Sequence, residues 1–536
     1  MRMAAWIVAV VVAVTPPARA QEPHQHPEGG KLGTVAFANS CKAEVQPPFA
    51  RGMALLHSFE FGQAMDAFAE VVKADPACGI ALWGTGLAQW GNPFSLALRP
   101  AAQLQSGRAT LEKAATVGAK TPREREYISA ATSLYDRFDS VDQPSRMNAY
   151  RDAMARLSAA HPDDPEAAAF YALSLAAAAA PADKTYADQL KAGAILEKLW
   201  TAQPDHPGFP HYIIHSYDVP ALASRAVDAA RRYAKIAPDA PHALHMPSHT
   251  FTRLGYWQDS IDTNILSAAA ARKVNVIGEE MHASDYQAYA YLQSGQDAAA
   301  RRVVDSLAEM RSRRGPVTQG AAPAPAGVYA AAAIPARYAL ERGAWADAAR
   351  LDTRTTPFAY ADALTWFARA LGSARTKDLP SAKAAVDELQ KCIDRTIEAK
   401  EMYWVEQITI QKIGASAWVA LAEGRKEEAL AQMRDAADRE DRTEKSAISP
   451  GPLAPARELL GDMLLELKQP KDALAAYQKT MAKEPNRFRA VAGAAAAAAQ
   501  AGDRAAARTY YTDLLTICPK ADTPGRAELQ AARAAR

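Results

Sequence analysis

KDALAAYQKTMAKEP at 471–485 and AAARTYYTDLLTICP at 505–519 decide the fold. Ala473, Tyr477 and Pro485 in the first recur as Ala507, Tyr511 and Pro519 in the second, each 34 residues later. Outward from there, Ala192, Ala226 and Ser260 stand 34 residues apart, as do Pro204 and Pro238. Near the start, Gly52 precedes a small–aromatic–apolar–proline series, Ala64, Phe68, Val71 and Pro76. A small residue lets two helices cross closely, the aromatic fills the space beside it, and proline stops the second helix. Further units fit at Gly295–Leu307 and Gly424–Ala436, segment 121–165 fits loosely, and 328–400 is helical without a clear frame. A fixed period of this length is the signature of a stacked array.

This pattern resembles the tetratricopeptide repeat (TPR). The resemblance implies an all-α fold, a TPR-type α-solenoid in which helix pairs wind into a right-handed superhelix. It also implies that first helices line a concave groove and meet ligands at positions 2, 5, 9, 12 and 13 of each unit. The wider chain is similar to exported bacterial TPR proteins of unassigned role, through LLHSFEFGQA and DPACGIALWG near the start, HYIIHSYD, APHALHMPSH, and TEKSAISPGPLAPARELLGDMLLE. That likeness supplies no reaction.

Seven of the eleven histidines fall between His206 and Gln293, in HPGFPHYIIHSYD, APHALHMPSHTFTRLGYW and EEMHASDYQAYAYLQSG. His211 and His215 are four apart; His242, His245 and His249 step by three and four; so do His282, Asp285 and Tyr289. Residues so spaced share one face of a helix. His211 and His215 recur 34 residues on as His245 and His249. The TPR resemblance puts all of these on groove positions, together with Asp218, Arg253 and His57. Imidazoles from helices packed about 8–10 Å apart can meet on one ion. His211, His215, His242, His245, His249, His282 and Asp285 are therefore the candidate metal ligands. Imidazole with no thiolate partner suits copper or zinc, with iron less favoured. Met246 and Met281 add thioethers nearby, and Glu279 and Glu280 are either a base or ligand, or plain helix-start acids. Asp218, Arg253 and Tyr289 are candidates to bind a ligand beside the metal, with Asp218 also able to orient an imidazole. Pro247 predicts a helix start near Met246 or a kink within the cluster.

The chain has 62 basic and 60 acidic residues, which argues against nucleic acid as the main partner. Arg2, an apolar run from Ala4 to Val14, and Ala18-Arg19-Ala20 read as a signal peptide cleaved near Ala20. The run is too short to span a bilayer, so a periplasmic or secreted protein without a transmembrane segment is expected. Cys41 and Cys78 can pair in an oxidising compartment, and no CxxC motif is present. Residues 21–44 read as a flexible arm, where HPEGG and EPHQH bind metal weakly at most, and 45–310 as the first array with the histidine groove. Residues 311–327 read as a linker, 328–519 as the second array and 520–536 as a disordered tail. Asp441–Pro455 reads as a loop, and the proline-rich stretch Glu444–Glu458 as a segment that feeds a repeat helix and caps the groove, with Arg457 or Glu458 facing inward.

Three functions fit. One is an exported protein that binds metal, and a ligand, at the histidines. The second is a scaffold for an envelope protein or peptide, without metal. The third is a metal-dependent enzyme built on the same cluster. No GxSxG, phosphate loop, dinucleotide fingerprint or HExxH favours another chemistry.

Overall fold

The computed structural model describes residues 30–313, 320–323 and 325–535, and every regular element in them is helical. The expected signal peptide and residues 21–29, with His24 and His26, lie outside the described residues. Helices Pro470–Lys483 and Arg504–Ile517 begin 34 residues apart and are both 14 residues long, so the sequence period is a structural one. Its small residues serve close crossings. A Cβ at Gly52 or Gly84 would come within 2.8 or 2.5 Å of the Phe68 ring, and at Gly461 or Gly493 within 2.7 or 2.4 Å of the Tyr477 ring. One buried ring thus locks two flanking helices in each unit. Ala192, Ala226, Ser260 and Ala473 are fully buried at equivalent crossings. The architecture is a TPR-type solenoid in which each helix packs chiefly on its neighbours in sequence.

Three consecutive first helices carry the histidines. They are Gly208–Ser216, then the pair Pro241–His245 and Pro247–Leu254, then Ile277–Gln293. Pro247 divides the middle one. The break falls at Met246, which keeps helical angles, and the Met246 amide still donates to His242 O at 2.9 Å. Both His242 and His249 therefore remain on the histidine face.

Lys31–Arg536 form one compact unit, in which helices far apart in sequence meet. The Trp257 indole donates to Asn486 O at 2.8 Å, and the Phe488 amide donates to Gln293 Oε1 at 2.9 Å. The stretch after Asp441 is the expected loop, and it runs as a strap over the Ile277–Gln293 helix. The Tyr286 hydroxyl donates to Ala447 O and Ser449 O, both at 3.1 Å, and Arg337 donates to Gly451 O at 2.8 Å and Pro452 O at 3.1 Å. The groove face of that helix is thus capped by the chain's own backbone. Glu458 faces inward on Arg487, at 2.7 Å, while Arg457 is held by Asp438 and Asp441.

Two stretches differ from expectation. The described part of the arm is packed: Leu32, Val35 and Phe37 are buried, Thr34 N bonds Asp205 O at 3.0 Å, and Cys41 is bonded to Cys78. Its alternating apolar residues fill a seam between helices. The tail expected to be disordered holds a helix, Ala527–Ala534, with Leu529 and Ala532 buried, and Arg526 pairs with Asp297 at 2.6 Å. Two apolar residues and one ion pair suffice for docking, a signal too small to stand out in a polar, alanine-rich stretch.

Candidate metal centre

The six predicted imidazoles converge, and all six are buried. They fall into two sets of three, His211/His215/His242 and His245/His249/His282, and within each set one ligand atom per residue lies within 4.8 Å of the others. Rings of the two sets adjoin, with His242–His245 centroids 6.1 Å apart and His215–His249 6.2 Å.

Hydrogen bonds fix which nitrogens carry protons. His245 Nδ1 meets Asn264 Oδ1 at 2.8 Å, and that amide is oriented because its Nδ2 donates to Ser260 O at 2.7 Å. His245 Nδ1–H is therefore the donor, and Nε2 keeps its lone pair. His249 Nδ1 donates to Asp218 Oδ2 at 2.9 Å, which leaves its Nε2 likewise bare. These two bare nitrogens face each other at 3.1 Å. In the other set, His211 Nδ1 donates to His57 O at 2.7 Å, and His211 Nε2 has no partner. His215 Nε2, both ring nitrogens of His242, and His282 Nδ1 have none either. Buried polar atoms are nearly always paired, so this many unpaired nitrogens in one place calls for a cause.

Burial also keeps the rings neutral. It pushes His211 and His282 down to about 3, and His215, His242 and His245 well below the usual imidazole range. His249 is lowered as well, against the pull of Asp218. Neutral imidazole is the form that ligates metal. Phe94 stacks on His215 at 4.1 Å and Phe59 packs edge-on against His211 at 4.4 Å, which restricts both rings.

The remaining predicted residues are distributed differently. Asp218 touches His249, accepts from Arg253 Nε at 2.8 Å and lies 3.4 Å from Lys445 Nζ. Burial would raise its pKa, but Lys445 and Arg253 hold it well below the usual carboxylate range. It orients an imidazole. Asp285 does not join the cluster: its Oδ1 accepts from Arg337 Nε at 2.8 Å, so the expectation of a metal ligand there is corrected. Tyr289 is also elsewhere, with its hydroxyl accepting from Arg487 at 3.0 Å. His57, expected in the groove, is bonded to Glu166 and Tyr212. Met246 lines the small space beside the rings, whereas Met281 packs with Val303, Leu307 and Met310.

That space is a cavity of about 20 Å³ walled by His215, His242, His249, His282, Phe94 and Ile448. A second cavity of about 80 Å³ adjoins it, lined by Arg253, Tyr289, Tyr403 and Gln407 among others, and Tyr360, Trp404 and Ser446 border both. The sequence reading missed Asn264, Phe94, Lys445 and the acid Glu60. Glu60 Oε1 accepts from the His242 amide at 3.1 Å, and burial raises its pKa to about 8. Glu279, raised by burial to about 7, bonds the Ala322 amide, and Glu280 pairs with Arg272 and Arg313.

No family model matches this chain. No curated protein matches it either. Among solved structures it is similar to the human IFIT1 dimer with m7Gppp-AAAA, at 10% identity and a TM-score of 0.35, over 89% of this chain and 96% of that one. The human IFIT1 dimer with PPP-AAAA follows at 10% identity and a TM-score of 0.32, over 89% and 95%.

Proposed function

We propose that this protein binds copper or zinc at the buried histidine cluster. One observation carries the reading. His245 and His249 each spend one ring nitrogen on an oriented acceptor and aim the other at its neighbour's lone pair, 3.1 Å away. Two lone pairs so placed repel unless a cation lies between them. Two nitrogens bound tetrahedrally at about 2.0–2.1 Å to one ion stand roughly 3.3 Å apart. The Cys41–Cys78 bond supports an oxidising compartment, in keeping with the proposed signal peptide and a periplasmic or secreted location. Among the described residues no helix is long and apolar enough to cross a membrane.

A bound ion would supply Lewis acidity or redox capacity. The protein's own part is to hold the rings neutral, fix their tautomers through Asn264, Asp218 and the His57 carbonyl, and exclude water. The larger cavity, with Arg253 on its wall, adjoins the smaller one and would hold a small ligand beside the rings. Enzymatic use of the centre requires a substrate there.

The test is elemental analysis of the full chain, purified without affinity tag or chelator, beside His245→Ala/His249→Ala. Near-stoichiometric copper or zinc, lowered in the variant at unchanged helix content, is expected. No metal, together with no micromolar binding on add-back, would overturn the reading. It would favour the second one, an envelope scaffold. That reading draws on the helix-pair array itself and on exposed Ile265 and Leu266, 43% and 57% accessible on the Trp257–Lys273 helix. A peptide partner would have to use such outer faces, because the strap covers the histidine face.

A further inference from the structure

We propose that the six imidazoles form two adjacent three-histidine sites, each holding its own ion. This rests on the metal reading above and deepens it. Each set is built in the same way, from a histidine pair four residues apart plus one histidine from the next first helix in the chain. His211 and His215 are joined by His242; His245 and His249 are joined by His282. The pairs are 34 residues apart, one repeat. The solenoid has used one device twice in succession, and the middle helix serves both sites: His242 from before the Pro247 break, His245 and His249 from either side of it.

Distances exclude one ion shared by all six rings. A single octahedral ion with bonds of about 2.1 Å would gather all six nitrogens within roughly 4.2 Å of one another. Among the described residues the six instead divide into two sets of three, each set within 4.8 Å. Each set also has its own unfilled valence. Unpartnered nitrogens belong to His211, His215 and His242 in the first, and to His282 in the second, beside the facing pair of His245 and His249. Three imidazoles per ion leave a coordination position open, and His215, His242, His249 and His282, drawn from both sets, face the same 20 Å³ cavity. One small bridging molecule, such as water or hydroxide, fits that space.

Stoichiometry decides the matter. The metal-free full chain is titrated with copper(II), and bound ions per chain are counted after gel filtration. The single-set variants His211→Gln/His215→Gln and His245→Gln/His249→Gln are treated alike. Two ions in the native chain and one in each variant are expected. The one-ion variants should give an isolated copper(II) electron paramagnetic resonance signal. The two-ion native protein should give a broadened or diminished signal from the coupled pair. Saturation of the native chain at one ion, lost in either variant, would overturn the two-ion inference and leave the metal reading standing. No ion in the native chain would overturn both. The native count needs no substitution, so a variant that misfolds does not shelter the inference.

Discussion

Two buried histidine clusters lie side by side in this protein and are wired differently. In one, His57 Nε2 bonds Glu166 Oε2 at 2.8 Å and His57 Nδ1 meets the Tyr212 hydroxyl at 3.0 Å. His206 Nε2 bonds the other Glu166 oxygen at 2.9 Å, and His206 Nδ1 accepts from the Gly208 amide at 3.1 Å. Every ring nitrogen there has a partner. Burial would raise the Glu166 pKa, yet His57 and His206 hold it far below the usual range, while burial lowers that of His206; the site is a hydrogen-bonded network closed on itself. In the six-histidine cluster, several rings have one nitrogen tied and the other bare. By proximity alone both clusters qualify as metal sites. Hydrogen-bond accounting tells them apart, because a saturated imidazole stabilises a fold while a half-satisfied one costs stability until something binds it.

Acid should widen the difference most. Each of the six imidazoles is neutral in the folded chain and regains its ordinary pKa near 6.5 on unfolding. Below that pH the unfolded chain binds more protons, so stability falls as pH falls, at up to about 1.4 kcal/mol per pH unit for each ring. The five rings held well below that value together approach roughly 7 kcal/mol per unit, against a total of about 5–15. Glu60 and Glu279 act with the opposite sign: the folded chain keeps their protons, so their contribution is lost as pH rises from the ordinary carboxylate range through about 8 and 7. Metal-free protein followed by circular dichroism should unfold cooperatively between pH 6.5 and 5. A flat signal over that window would mean the rings are not held neutral.

Glu166→Ala comes next. It strands two buried histidines and should cost about 3–5 kcal/mol, seen as a lower melting temperature, with metal per folded chain unchanged. Loss of metal in that variant would erase the distinction between the clusters. Asn264→Ala frees the tautomer of His245 and should weaken metal binding about 10- to 100-fold in a chelator competition. Unaltered affinity would show that His245 needs no orienting partner. Phe94→Leu removes the ring stacked on His215 and should cost about 1 kcal/mol, read from the denaturation midpoint. A much larger loss would make that ring a structural keystone of the cluster.

The repeat was legible because a close helix crossing needs a small residue and a helix end tolerates proline, so Ala473 and Pro485 carry their period in the open. The paired histidines were legible for the same reason, since steps of three and four are local. Asp285 has the same local spacing and a different fate. Its partner, Arg337, lies 52 residues on, in a helix whose place in the array periodicity does not give. Phe94 and Asn264 reach the rings from outside the first-helix pattern. The strap's proline-rich composition marked it as a loop, but its course over Tyr286 is set by hydrogen bonds across 161 and 163 residues.

That strap has a consequence for time as well as place. Ile448 walls the cavity beside the rings, and the backbone at Ala447, Ser449, Gly451 and Pro452 is anchored by Tyr286 and Arg337. Leaving the cluster would require those anchors to release together, so escape would be a local unfolding event and its rate would be the rate of that opening. Ions would enter and leave the folded chain slowly, at the rate of that opening, giving a residence lifetime far longer than the equilibrium affinity alone implies.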